Sequence, residues 1–253
     1  MTYRQRAADK TPECQLAECV IALGGNVGDV PRSFTEVAEE LRRAGCEVSR
    51  VSSIYRTAPV GSDAGDTYWN GAMLLRSPFD PASTLRLLHE IEGRLGRVRE
   101  THWGPRTIDL DLIVMGDCVL NLPHITLPHP ACWYRRFVLD PVVEIAGDIR
   151  HPLADATFSE LRQRLLDRPL AIACGGPDAP VLERTLRLQF PTQIVIVQPA
   201  EDPTILFTAT SIPGPPHAAR PQPGRFALPP VSGEALATAV LKAALDEPRP
   251  IVE

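Results

Sequence analysis

Two hydrophobic periods alternate through the first two thirds of the chain. Cys19–Leu23 (CVIAL) is a continuous apolar run, as in a strand buried on both faces, and it ends in Gly24-Gly25-Asn26-Val27-Gly28-Asp29, which reads as a glycine-rich turn. Pro31 then suits a first helical turn, Phe34, Val37, Ala38 and Leu41 follow a helical period, and Gly45 stops it. Val48–Tyr55 alternates loosely as a strand would, and Tyr68–Leu75 predicts another. Asp80-Pro81 opens a second helix with Leu85, Leu88, Ile91 and Leu95 inward and Gly96 as its stop. Ile108–Met115 gives the clearest strand signal: Ile108, Leu110 and Leu112 point to one face, Asp109 and Asp111 to the other. A proline-rich loop over Leu122–Pro130 and a short helix near Pro141–Ala146 follow. The last helix of this part, Thr157–Leu166, opens on Thr157-x-x-Glu160, the pattern of a capping box. Antiparallel strands with two main helices between them predict an α+β sandwich.

Beyond residue 167 the pattern and the composition both change. Every Trp and Tyr precedes this point, and prolines become dense after it. Leu170–Cys174 reads as a strand, Pro180–Gln189 as a helix, Gln193–Gln198 as a second strand and Thr204–Thr208 as a third, which together suggest a βαβ unit. The proline-dense stretch 212–231 excludes regular structure and reads as linker or loop, and Ala235–Leu245 as a final helix. The chain thus divides into an N-terminal segment, 1–16, expected to be disordered, a main domain over 17–167, and a Pro-rich extension over 168–253.

Composition narrows the chemistry. A net charge of −5 argues against a nucleic-acid binder that relies on a basic surface. The polar start offers no secretory signal, and no apolar run is long enough to span a membrane. The six cysteines (Cys14, Cys19, Cys46, Cys118, Cys132, Cys174) form no C-x-x-C pair, which argues against a zinc cluster or disulfide framework and suits a cytoplasmic location. The only lysines are Lys10 and Lys242, so there is no G-K-[ST] of a Walker A loop and almost no scope for an active-site lysine. Phosphate chemistry here must use arginine, metal or backbone N–H groups. The Gly24–Asp29 stretch also lacks the G-x-G-x-x-G register of a dinucleotide fingerprint.

Asp109 and Asp111, about 6–7 Å apart at Cα on one strand face, could share one Mg²⁺ or bracket two, with substrate phosphates completing the shell. A solvated polar face on an edge strand would look the same. Trp103-Gly104-Pro105-Arg106-Thr107 runs directly into the acidic pair, and Arg97 and Arg99 lie upstream, past a helix. Arginine forks match phosphate oxygens, although arginine-rich surfaces also form plain ion-pair networks. Tyr68 and Asn70 share a strand face, where an aromatic and an amide can stack on a flat heterocycle and read its edge, or else pack in the core. His129, held between Pro128 and Pro130, could donate to a phosphate or be incidental.

Taken together, these segments resemble the 6-hydroxymethyl-7,8-dihydropterin pyrophosphokinase family of folate biosynthesis. The resemblance rests on Leu23–Asp29, Ser52–Gly61, Tyr68–Asn70, Gly96–Arg99, Trp103–Asp111 and Leu127–Pro130, in order and spacing over about residues 17–166. It implies a ferredoxin-like α+β fold with a mainly antiparallel sheet, and transfer of diphosphate from ATP to the pterin hydroxymethyl with release of AMP. By the same resemblance Asp109 and Asp111 would hold two Mg²⁺ ions, and Arg97 and Arg106 would steady the transferring phosphates. Tyr68 and Phe137 would sandwich the pterin, with Asn70, Thr57, Pro59 and Val60 reading its edge. Glu92, Arg99, Trp103, Thr126, His129 and Arg135 would face the nucleotide. The sequence departs from the family pattern at Gly25, where Ser is common, at Glu100, where a basic residue is common, at Pro130, where an aromatic is common, and in an Arg99–Trp103 loop one residue short. Two other readings stand beside this one: another Mg²⁺-dependent phosphoryl or nucleotidyl transferase, or a catalytically silent pterin- or nucleotide-binding scaffold. The partners expected are small molecules, with no nucleic acid and no membrane. The extension is expected to be dispensable for the reaction and to dock on the main domain or on a second subunit by self-association.

Overall fold

In the computed structural model, which describes residues 16–57, 67–97, 107–201, 203–208 and 234–251, the apolar run at Cys19–Leu23 is the middle of β1 (Ala17–Gly25). Then come α1 (Val30–Arg43), β2 (Glu47–Val51), β3 (Tyr55–Thr57), β4 (Tyr68–Ser77), α2 (Pro81–Arg94) and β5 (Asp109–Met115). A hairpin of β6 (Leu120–Leu122) and β7 (Ile125–Leu127) leads to α3 (Arg136–Ala146). The short pair β8 (Arg150–His151) and β9 (Ala156–Thr157) precedes α4 (Phe158–Arg164). The remainder forms β10 (Leu170–Gly175), α5 (Ala179–Gln189), β11 (Ile194–Ile196), β12 (Ile205–Thr208), α6 (Glu234–Leu245) and β13 (Arg249–Pro250).

The main sheet is antiparallel throughout, in the order β13-β3-β4-β1-β5, with β2 also on β4. β2 and β3 pair with successive parts of β4: Val51 lies opposite Met73 and Tyr55 opposite Asn70. The break between them sits at Ser52, whose hydroxyl accepts from Ala72 N and donates to Ser53 O. β1 is central and covered on both faces, which is why it is apolar without alternation.

The two faces have separate cores. Ile21, Leu23, Met73, Leu75, Leu110 and Leu112 pack with Phe34, Val37 and Leu41 of α1 and Leu88 and Ile91 of α2. Val20, Ala22, Ala72 and Leu74 face the other way, onto Val138, Leu139, Val142 and Ile145 of α3. The helices are capped as their sequences direct: Asp29 and Asp80 accept from Arg32 N and Ser83 N, and Thr157 and Glu160 form a reciprocal capping box.

The extension docks on the second of these cores. Leu170, Ile172, Leu186, Phe207, Val240 and Leu241 are continuous with the α3 cluster. β10 is flanked by β11 and β12, both parallel to it. Three short strands and two helices bury too little to stand alone, and packing onto α3 and α4 supplies the missing surface.

The structure departs from the sequence reading at several places: the strand expected over Val48–Tyr55 is broken into β2 and β3, and β8 and β9 were not expected. Gly24 and Gly25 end β1, where a turn was expected, because both still pair with Asn70 and Trp69 of β4. The Leu122–Pro130 stretch contains one strand of a hairpin. α3 starts at Arg136 and takes Pro141 into its interior, so the proline does not mark the helix start. β13 was not expected at all. Residues 1–15, nearly all of the segment expected to be disordered, and the proline-dense stretch 212–231 lie outside the described residues.

Candidate active site

The register of the main sheet collects the candidate residues on one face. β4 sets Tyr68 and Asn70 opposite Thr57 and Tyr55 of β3, and Asn70 is also opposite Gly24 of β1. Gly24 in turn faces Asp109 of β5, and Ala22 faces Asp111. Cross-strand partners share a face, so Thr57, Tyr68, Asn70, Asp109 and Asp111 all project to the side that carries α3. Gly24 is the gap in the middle of this row. A Cβ there would meet only Asn70 Oδ1 at 3.6 Å and Asp109 Cβ at 4.0 Å. Gly25 is required for a different reason: a Cβ would fall 2.8 Å from the Thr107 carbonyl oxygen. That close approach gives a steric reason for glycine where the resembled family commonly has Ser.

At the acidic end, Arg97 Nη1 lies 2.6 Å from Asp109 Oδ1 and also donates to Glu92 Oε1. Glu92 is 1% exposed and accepts from Leu110 N at 2.8 Å. One buried carboxylate thus fixes both the arginine and the strand bearing the aspartates. Asp111 Oδ2 is 3.9 Å from His129 Nε2, close enough for electrostatic coupling but too long for a direct hydrogen bond. His129 Nδ1 accepts from Ala131 N, which assigns the proton of the neutral ring to Nε2, on the Asp111 side. Burial lowers the His129 pKa below the ordinary value and the Asp111 carboxylate opposes that shift.

At the other end, Asn70 is buried and its Nδ2 donates to Thr57 Oγ1 at 2.9 Å. Tyr68 is half-buried. Phe137 lies in the first turn of α3, and Arg135 sits over its ring with Cζ 5.6 Å from the centroid. Thr126 is exposed on β7, pointing away from the buried Ile125 and Leu127. Arg99, Trp103, Arg106, Pro59 and Val60 lie outside the described residues. Thr107, next to that segment, has a buried hydroxyl with no hydrogen-bond partner among the described residues.

No cluster of three or more His, Cys, Asp or Glu able to hold a metal ion occurs among the described residues. The donor set nevertheless suits Mg²⁺: two hard, partly exposed carboxylates on one strand face, with other positions left to water and phosphate oxygens. A soft or structural metal would need a fuller protein cage.

Comparison with known proteins places the chain in a family. Residues 20–147 match the family model for 7,8-dihydro-6-hydroxymethylpterin-pyrophosphokinase (HPPK). The chain belongs to this family. A 2-amino-4-hydroxy-6-hydroxymethyldihydropteridine pyrophosphokinase of Synechocystis sp. is 43% identical over 147 residues, which is 58% of this chain and 75% of that protein. The enzyme of the same name from Bacillus subtilis is 37% identical over 144 residues, 56% of this chain and 84% of its own. Among solved structures, Plasmodium falciparum HPPK-DHPS A437G with SDX-DHP has a TM-score of 0.49 and 12% identity, over 78% of this chain and 59% of that chain.

The family match ends before α4. Three positions in the site carry more than sequence reasoning assigned them. Gly24 read as a turn residue, and its place between Asn70 and Asp109 depends on a register no motif displays. Glu92 was a candidate nucleotide contact, and it is a buried support for Arg97. Glu144 drew no notice, yet its carboxylate accepts from Ser53 N, Ser53 Oγ and Tyr55 OH and ties α3 to β3. Its spacing on α3 looks like any exposed helix glutamate.

Proposed function

We propose that the sheet face between Thr57 and Asp111 is where this chain, an ATP-dependent pyrophosphokinase of folate biosynthesis, brings its two substrates together. The hydroxymethyl oxygen of 6-hydroxymethyl-7,8-dihydropterin attacks the β-phosphorus of ATP, the bond to the α-phosphate oxygen breaks, and AMP leaves. Such a transfer needs positioning and charge neutralisation far more than covalent help. The observation that carries this reading is the single row of Thr57, Tyr68, Asn70, Gly24, Asp109 and Asp111 on one face.

Tyr68 and Phe137 stack on the pterin, and Asn70, Thr57, Pro59 and Val60 read its edge. Asp109 and Asp111 would hold Mg²⁺, two ions in this reading, which would neutralise phosphate charge. Arg97 and Arg106 steady the transferring group, with Glu92 keeping Arg97 in place. His129, Arg135, Arg99, Trp103 and Thr126 serve the nucleotide. The scheme is consistent with residues 17–167 as a ferredoxin-like catalytic domain and 168–253 as a βαβ-like extension. A reducing cytoplasm suits the free thiols of Cys19, Cys46, Cys118, Cys132 and Cys174. No helix among the described residues is long and apolar enough to cross a membrane.

The test is direct. With ATP, Mg²⁺ and the hydroxymethyl pterin, the protein should produce AMP and the pterin diphosphate in equal amounts. ADP in place of AMP would mean a different phosphoryl transfer, and no product would mean a binding scaffold.

A further inference from the structure

β3 is three residues long and carries Thr57, the partner of Asn70. On one side it pairs with β4. Its other side would be a bare edge, with unmatched N–H and C=O groups and little to fix so short a strand. The end of the chain fills that edge. β13 pairs antiparallel with β3, Arg249 opposite Arg56 and Pro250 opposite Tyr55, and the Ile251 N–H donates to Ile54 O at 2.9 Å.

Side-chain attraction does not explain this pairing, because Arg249 and Arg56 are like charges set opposite each other. Docking of α6 does. Ala237, Val240, Leu241 and Ala244 are buried in the cluster built on α3, and only residues 246–248 separate the end of α6 from β13. A second support comes from α3 itself, through Glu144 and its bonds to Ser53 and Tyr55. Burial and the Glu144 carboxylate raise the Tyr55 hydroxyl to about 12, so it stays protonated and keeps donating.

We propose that β13 is a positioning strand for the pterin side of the site: the extension reaches back, completes the edge of β3, and so holds Thr57 against Asn70. The proposal rests on the reading of Thr57 and Asn70 as pterin-reading groups, and it replaces the expectation that the extension is dispensable for the reaction. The effect is selective. Asp109, Asp111 and the buried Glu92–Arg97 pair belong to β5 and its surroundings, three strands away from β3. Loss of β13 therefore acts on the pterin and spares the nucleotide.

Two variants test this, one truncated and one of full length. A stop after Pro248 removes β13 and leaves α6. Ile251→Pro removes the N–H that bonds Ile54, together with the isoleucine side chain that Ile251→Ala also removes. AMP formation is measured with pterin and ATP varied separately, beside a thermal melt. Both variants should raise the pterin KM by about fivefold or more, with kcat and the ATP KM within about twofold of the starting protein. Ile251→Ala, which keeps the N–H, should restore the pterin KM. An unchanged pterin KM in either folded variant, or equal rises in both KM values, overturns the proposal. If the unaltered protein itself makes no AMP, the functional reading fails, and this inference falls with it.

Discussion

Arg97 Nη1 lies 2.6 Å from Asp109 Oδ1, so one proposed metal ligand is already paired with a cation. Arg97 keeps a second anionic partner, Glu92, when that pair opens. Asp109→Asn should therefore lower AMP production by roughly a hundredfold or more while the melting temperature barely moves. Near-normal turnover at low Mg²⁺ would remove Asp109 from the metal site.

Glu92 should behave in the opposite way. It is buried, and it satisfies both Leu110 N and Arg97. Glu92→Ala leaves an arginine and a backbone N–H short of their acceptor, a change that costs about 3 kcal/mol or more in comparable settings. Urea denaturation should show that loss together with reduced turnover. A variant as stable as the parent but inactive would instead give Glu92 a direct role toward the nucleotide.

Gly24→Ala separates packing from function. The added methyl would make ordinary contacts with Asn70 and Asp109, and removing a glycine restricts the unfolded chain. Stability should stay within about 1 kcal/mol of the parent. The methyl would, however, occupy the gap between the two halves of the proposed site, so kcat/KM should fall by about tenfold or more. Parental kinetics would show that substrates do not use that gap.

Local chemistry made much of this molecule readable from sequence. Period-two alternation set Asp109 and Asp111 opposite the buried Leu110 and Leu112, and Pro31, Asp80 and Thr157 announced their helices because a helix start needs only a few neighbouring residues. Register is a different matter. That Gly24 stands between Asn70 and Asp109 depends on β1 pairing with two strands from distant parts of the chain. β13 was hidden for a further reason: Pro248 and Pro250 argue against a strand everywhere except on an edge. The edge was visible only after β3 and β4 had been assembled.

That edge makes a prediction of its own. Arg249 and Arg56 are both exposed and directly opposite, an arrangement that weakens a ladder. Arg249→Glu turns repulsion into attraction and should stabilise the protein by about 0.2–1 kcal/mol at low ionic strength. Added salt should shrink the gain, since exposed charges are screened. A destabilised variant would mean that Arg249 has a favourable partner elsewhere.

Asp246, in the short link between α6 and β13, sets a pH dependence. Its Oδ1 accepts from Glu247 N at 2.9 Å, while Oδ2 is buried without a hydrogen-bond partner among the described residues. Burial raises its pKa from the ordinary aspartate value to about 6; Arg136 opposes the shift, and Asp140 and Glu247 add to it. The folded state therefore holds this proton more tightly than the unfolded chain does. Below about pH 4 the group is protonated in both states and carries no penalty. As the pH rises toward 6 the unfolded carboxyl ionises first, the folded state falls behind, and stability is lost, by at most about 3 kcal/mol. Asp246→Asn removes this titration. Compared by urea denaturation, the variant should match the parent near pH 4, gain on it between pH 4 and 6, and hold a constant advantage above that. An advantage largest at acid pH, or absent at pH 7, would show that Asp246 is ionised and satisfied in the folded protein.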